Sequence, residues 1–282
     1  MTSVWFDPDG SINTVPVDDR GLQYGDGVFD TIAIRHGRAR LAHLHIERLR
    51  LGCERLGMQV PPAEKLLGML DAAIASTGCH GSGVAKLVVT RGSGMRGYRY
   101  AADSTPRILL GIFDSPLHAR DFWTRGIGTR ICNLRLASQP ALAGIKTLNR
   151  LEQVLARNEW QSASIAEGLM LDADCNLVCG TMSNVFLVSD HGLSTPAITS
   201  AGVSGVMRRH IIAVAVSAGL TVAVEQVPVQ RLAECHEVFV SNSQIGIWPV
   251  RFCGARPYAA PGPTTQRVMN LLADSGIEEC RL

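Results

Sequence analysis

The segment that most limits the fold is Arg91-Gly92-Ser93-Gly94-Met95-Arg96-Gly97-Tyr98, which follows the extended run Val84-Ala85-Lys86-Leu87-Val88-Val89-Thr90. A strand that ends in G-x-G-x-x-G is the opening of a dinucleotide-binding βαβ unit. That unit needs its third glycine to start an amphipathic helix whose N-terminus receives a pyrophosphate. Here the continuation Tyr98-Arg99-Tyr100-Ala101-Ala102-Asp103-Ser104-Thr105-Pro106 has no helical stripe and runs into proline. A mobile loop is expected instead, and its two arginines, Arg91 and Arg96, suit the gripping of carboxylates.

The elements around this loop read as a mixed helix and strand unit. Through about residue 40, short strands surround turns, with Asp7-Pro8-Asp9-Gly10 and His36-Gly37 as hairpin signals. Residues 18–27 are too rich in glycine and charge for a regular element, and the extended run 28–34 behind them carries Thr31, a β-branched residue suited to a strand. From 41 to about 57, Leu41, Leu44, Leu51 and Leu56 recur at helical spacing with Arg48 on the same stripe. Either its stem covers apolar surface while its head reaches water, or its planar guanidinium faces a buried anion such as phosphate. A second helix is expected at about 62–77, and a strand at 108–113 closes this half.

Asp114-Ser115-Pro116 then begins a linker. The expected division is an N-terminal domain 1–115, a linker 116–125 and a second domain 126–282. In the second half, strands are expected at 128–134, 168–171, 185–188 and 237–241, and helices at 149–160 and from about 204 to 218. The entry Ala201-Gly202-Val203-Ser204-Gly205-Val206-Met207 would expose helix N-terminal amides as an anion site, unless Ser204 simply caps the helix. The polar cluster Ser241-Asn242-Ser243-Gln244 is a third element directed at phosphate, beside Arg48 and the amides near Val206.

Of 27 basic residues only Lys65, Lys86 and Lys146 are lysines. Only a primary amine can shed its proton near neutral pH and form a Schiff base. Lys65 opens an amphipathic helix after two prolines and reads as solvated. Lys86 interrupts a strand, where an outward or edge position explains it. Lys146 lies among small and apolar residues in Leu142-Ala143-Gly144-Ile145-Lys146-Thr147-Leu148-Asn149-Arg150, where desolvation favours the neutral amine. It is the candidate nucleophile or base.

At 282 residues and 46% hydrophobic content the chain can bury a large core. Its formal net charge of +2, without a block of either sign, gives no reason to expect nucleic acid or an anionic membrane. No apolar run has the length of a membrane span, and Met1-Thr2-Ser3-Val4-Trp5-Phe6-Asp7-Pro8 lacks the regions of a signal peptide, so a cytoplasmic location is expected. The eight cysteines are scattered without CxxC pairs. Cys175 and Cys179 have no second ligand pair, and neither disulfides nor a metal site is expected.

Taken together, five stretches resemble the fold type IV pyridoxal-phosphate enzymes, the group of branched-chain and D-amino acid aminotransferases and aminodeoxychorismate lyase. They are Asp19-Arg20-Gly21 through Gly25-Asp26-Gly27-Val28-Phe29, His45-Ile46-Glu47-Arg48-Leu49, Gly144-Ile145-Lys146, Ser183-Asn184-Val185-Phe186 and Gly205-Val206-Met207-Arg208. Within the group, 91–98 and 142–155 are similar to the lyase branch. The resemblance implies an N-terminal α+β domain, a C-terminal barrel-like α/β domain and a homodimer. It further implies pyridoxal 5′-phosphate on Lys146, with its phosphate held by Arg48, Ser243 and the amides of Val206 and Met207. Thr31 would assist proton transfer, and Arg96, with Arg91 second, would orient a carboxylate of aminodeoxychorismate. An aminotransferase, or a weakly active or non-catalytic homologue, are the alternatives. One position departs: where the family places a glutamate to keep the pyridine nitrogen protonated, this chain has Cys179.

Overall fold

The structure is a computed structural model that describes residues 4–12 and 14–282; Met1, Thr2 and Ser3, the start of the segment that lacks signal-peptide regions, and Asn13 lie outside the described residues. The chain divides into two compact units, Met1–Leu117 with Ile145–Asn149, and His118–Gly144 with Arg150–Leu282. The excursion of 145–149 into the first unit is the main difference from the expected linear division. The stretch expected as linker also holds a short helix, Asp121–Thr124, whose Trp123 is buried and donates its indole N–H to Ile245 O at 2.8 Å.

The first unit contains strands β1 (Val4–Asp7), β2 (Gly10–Ser11), β3 (Gly27–Arg35), β4 (Arg38–Ala39), β5 (Gly83–Thr90) and β6 (Arg107–Asp114). Among the described residues they form one antiparallel sheet in the order β2-β1-β6-β5-β3-β4. Both hairpin signals are realised: Asp7 pairs Gly10, and Arg35 pairs Arg38 across His36 and Gly37, whose φ of 50° and 69° are those of a type I′ turn. Alternation along the strands sorts the two faces. Val28, Ile32, Ile34, Ala85, Leu87, Val89, Leu110 and Ile112 face the helices α2 (Ala42–Arg55) and α3 (Ala63–Ser76), whose Ile46, Leu49, Leu66 and Leu70 complete the core. Phe29, Thr31, Lys86 and Val88 occupy the other face.

Residues 18–27, expected to be irregular, include a short helix, α1 (Arg20–Tyr24). Asp19 accepts from the Gly21 amide at 2.8 Å and so caps it, and Gly25 at φ 66° ends it. A local side-chain cap and a glycine stop suffice for one turn of helix even in a charged segment.

The second unit, counting α4 as Asp121–Thr124, contains β7 (Ile127–Leu136), α5 (Leu151–Arg157), β8 (Glu167–Asp172), β9 (Asn176–Gly180), β10 (Asn184–Ser189), β11 (Gly192–Pro196), α6 (Val206–Ser217), β12 (Val222–Glu225), β13 (Val227–Pro228), α7 (Arg231–Glu234), β14 (Glu237–Asn242), β15 (Gly246–Cys253), β16 (Arg256–Pro257) and α8 (Pro263–Asp274). Its sheet runs β12-β11-β10-β14-β15-β7-β8-β9-β13, with β16 on β15. The strands at its two ends, β12 and β13, are separated in the chain by Gln226 alone, so the sheet must curl until its edges meet. This is the barrel-like domain that was expected. Helix α5 is shorter than the helix expected at 149–160. Just beyond it the Glu159 carboxylate leaves the helical path to accept from the amides of Asn133 and Leu134 at 2.7 and 2.9 Å. Among the described residues, no helix is long and apolar enough to cross a membrane.

Helix α8 is fastened to the sheet by a buried carboxylate. Glu237 on β14 accepts from the amides of Thr264 and Thr265 at 3.0 and 2.7 Å, in the first turn of the helix. Negative charge is favoured there by the helix dipole. Glu237→Gln retains the volume but turns one acceptor into a donor facing an amide, and should lower unfolding free energy by about 1–2 kcal/mol; equal denaturation midpoints for variant and parent would refute this account of the cap.

Candidate active site

Lys146 reaches the first unit through the backbone. Phe29 N–H donates to Lys146 O at 2.9 Å and Leu148 N–H to Gly27 O at 3.0 Å, with Thr147 opposite Val28 in an antiparallel bridge. Residues 146–148 thus line the edge of β3 that β4 leaves open. The half-buried Lys146 side chain places Nζ 4.6 Å from the centre of the Phe29 ring.

A second amine lies on that ring. Lys86 Nζ is 5.3 Å from the same ring centre, and its strand position is paired with Thr31. The sequence suggested an outward or edge lysine, but β5 lies inside the sheet between β3 and β6, and Lys86 is half-buried on the face of Phe29. The missed signal was the parity of the strand: Lys86 alternates with core-facing Ala85 and Leu87. Two amines and the Thr31 hydroxyl therefore belong to one sheet face, the combination expected where an anionic substrate meets a base. Lys65, by contrast, is exposed on α3.

Arg48 combines parts of both sequence readings. Its side chain keeps 12% exposure, yet Nε and Nη2 bind Asp30 Oδ2 and Oδ1 at 3.0 and 2.6 Å. The two loop arginines differ. Arg96 is exposed. Arg91 is buried: its Nε and Nη2 meet Asp26 at 2.8 and 3.0 Å, Nη2 and Nη1 donate to Leu56 O and Gly57 O at 2.7 and 3.1 Å, and its Cζ lies 3.7 Å from the Tyr100 ring centre. Arg91 thus corrects the expectation of a second carboxylate-orienting arginine, because its donors are committed to the protein. Arg20, on the same Asp26 at 2.9 Å, also holds the Gly97 and Tyr98 carbonyls, so the loop is tethered rather than loose.

In the second unit, α6 begins at Gly205 without any side-chain cap. Ser204 is not the cap that sequence allowed; its amide instead donates to Gly144 O at 3.0 Å. A side chain at Gly205 would collide with Asn184 Oδ1, and Asn184 Nδ2 in turn holds Val203 O at 2.9 Å. The first turn, with Val206 and Met207 at its start, thus has a glycine and no side-chain cap at its N-cap position, a helix N-terminus of the kind that suits a phosphate. Ser243 lies half-buried in the turn between β14 and β15. Cys179 is buried among Cys132, Ala156, Trp160 and Met170. Burial first, and then the charge of Glu167, push its thiol up to about 12. It is a neutral group at any physiological pH.

The Amino-transferase class IV family description matches residues 27–253. The chain is 35% identical over 236 residues to an aminodeoxychorismate lyase of Vibrio harveyi, covering 84% of this chain and 86% of that protein. It is 26% identical over 267 residues to a D-alanine aminotransferase of Bacillus licheniformis, covering 94% and 93%. Among solved structures, the 4-amino-4-deoxychorismate lyase from Pseudomonas aeruginosa superposes with a TM-score of 0.92 at 42% identity, covering 97% of this chain and 99% of that one.

Burial raises the Asp26 carboxyl, but its hydrogen bonds and charge contacts with Arg91 and Arg20 outweigh that and leave it below its ordinary value of 3.8. A depressed folded value adds stability that is present above the ordinary value and is lost as pH falls through the lowered one. Arg91→Ala should cost about 3 kcal/mol at neutral pH, because it strips the partly buried Asp26 of its main partner, and the deficit should shrink below about pH 4. Arg96→Ala should leave stability unchanged. Equal melting curves for the two variants across this range would contradict the assignment.

Proposed function

From the premise that this chain belongs to the Amino-transferase class IV family, we propose that it is a pyridoxal 5′-phosphate-dependent lyase that splits 4-amino-4-deoxychorismate into 4-aminobenzoate and pyruvate. The observation that carries the choice of lyase is the likeness along nearly the whole chain to a lyase of known structure, at higher identity than to the aminotransferase. The residues fit the cofactor. Lys146 offers a primary amine seated on an aromatic ring, and α6 offers an uncapped N-terminus for a phosphate. Arg48 and Ser243 would complete the phosphate's partners. Bound there, the cofactor would supply an electron sink for the substrate carbon that carries the amine.

The chain's own groups do the rest. Lys146 Nζ removes the proton from the ring carbon bearing the amino group. Thr31 Oγ1 passes a proton to the enolpyruvyl oxygen as its bond to the neighbouring ring carbon breaks, and the ring that remains becomes aromatic. Arg96 and Lys86 neutralise the two substrate carboxylates. Cys179, as a neutral thiol, gives a pyridine nitrogen no anionic partner, and the driving force of aromatisation makes a weaker sink sufficient.

Purified protein loaded with cofactor should release 4-aminobenzoate from enzymatically generated aminodeoxychorismate. Lys146→Ala should lose both the long-wavelength absorbance of bound cofactor and at least about a thousandfold in rate, whereas Cys179→Ser should stay within about threefold of the parent. Amino transfer from D-alanine or a branched-chain amino acid, with no 4-aminobenzoate formed, would replace this reading with the aminotransferase. Cofactor binding without turnover of any of these amines would leave a non-catalytic homologue.

We also propose a homodimer in solution. Leu151, Val154 and Leu155, spaced i, i+3 and i+4 on α5, are 76%, 52% and 60% exposed, an apolar stripe that water alone does not favour. Replacing Leu151 and Leu155 with glutamate should shift sedimentation from dimer to monomer at micromolar protein. An unchanged dimer would place the interface elsewhere, and a monomeric parent would remove the proposal.

A further inference from the structure

We infer that Asp30 is a positioning residue for Arg48, orienting the guanidinium toward an anionic phosphate, with His45 holding the carboxylate in place. The inference rests on the proposed function in one respect, that Arg48 binds the phosphate of the cofactor.

Asp30 sits in β3 at a position whose neighbours on the same face, Val28 and Ile32, belong to the apolar core, and it is itself fully buried. A carboxylate in such a layer costs several kcal/mol unless it is paired. The compensation comes from one turn of α2. His45 Nδ1 lies 2.5 Å from Oδ1, Arg48 Nη2 lies 2.6 Å from Oδ1, and Arg48 Nε lies 3.0 Å from Oδ2. The Thr31 amide also donates to Oδ1 at 3.0 Å. Burial alone would raise the Asp30 carboxyl, but the charges of Arg48 and His45, with their hydrogen bonds, hold it well below the ordinary range. It stays ionised.

Two features separate this group from an ordinary structural ion pair. The contact is side-on and bidentate, so both oxygens fix the plane of the guanidinium as well as its charge. An unrestrained arginine would lose rotamer entropy on ordering at a ligand; here most of that loss occurs on folding, before any ligand arrives. The second feature is direction. Side-chain exposure rises from 0% at His45 through 1% at Asp30 to 12% at Arg48, so the chain of contacts leads outward from the core to the arginine. His45 is committed to Asp30 through Nδ1 while its Nε2 is buried without a hydrogen-bond partner. A core built for stability alone would gain from an apolar residue at that place.

The test compares two forms of the cofactor, pyridoxal 5′-phosphate and pyridoxal, which lacks the phosphate, by their dissociation constants at a temperature where every variant is folded. Asp30→Asn should weaken the phosphorylated form about tenfold, the loss of one charge-assisted contact's worth of orientation, and leave pyridoxal within about twofold. His45→Gln should show the same selectivity at about threefold, and it carries the test if Asp30→Asn does not fold. Equal losses for both compounds, or none, overturn the inference. Arg48→Ala separates the two layers of argument. If it fails to discriminate between the compounds, Arg48 does not hold the phosphate and the site assignment fails. If it discriminates while neither Asp30→Asn nor His45→Gln does, only the positioning role fails.

Discussion

The antiparallel pairing of residues 146–148 with the first residues of β3 is the contact on which the rest depends. Strand β4 covers only Ile34 and Arg35, so the beginning of β3 would otherwise expose the Phe29 amide and the Gly27 carbonyl. The pairing satisfies both, and it sets the Lys146 side chain over Phe29. Close approach is part of the arrangement: a Cβ at Gly27 would stand 2.9 Å from Leu148 Cδ1 and 2.5 Å from Val89 O. Because β3 is held in register with β5 over eight residue pairs, Lys86 and Thr31 follow in place once this edge is made.

The protein divides its cations by chemistry. Arginines carry the architecture: Arg20 and Arg91 on Asp26, Arg107 on Asp19 at 2.9 Å, and Arg208 on Thr195 and Pro196 at 3.3 and 3.0 Å. Each uses the rigid fork to serve several acceptors at once, which a single ammonium could not do. Of the three lysines, two lie beside one aromatic ring. The face of an aromatic ring attracts an ammonium through the ring's quadrupole.

Much of the fold was legible because its strands and helices have strong periods. The helices at 42–55 and 63–76, the hairpins at Pro8-Asp9 and His36-Gly37, and the rejection of a nucleotide-binding βαβ unit all followed from local pattern. What sequence concealed was non-local. Nothing near Arg91 announces that Asp26 will claim it, and nothing near Arg48 announces Asp30, since these partners lie 65 and 18 residues away. For Lys86, strand parity gives the face turned away from the core, as one of the two sequence readings had it, but not the Phe29 ring and Lys146 that share that face. The membership of 145–149 in the first unit is likewise decided by an open strand edge, which no window of sequence contains.

That excursion has a consequence for how the molecule is made. The chain leaves the first unit after Leu117, returns for Ile145–Asn149, and departs again. A nascent polypeptide can therefore pair all six strands of this sheet within its first 117 residues, but the beginning of β3 keeps an open edge until 145–149 has been synthesised. The segment that then covers this edge is also the one that carries Lys146, so the edge of β3 and the Lys146 side chain are set in place together.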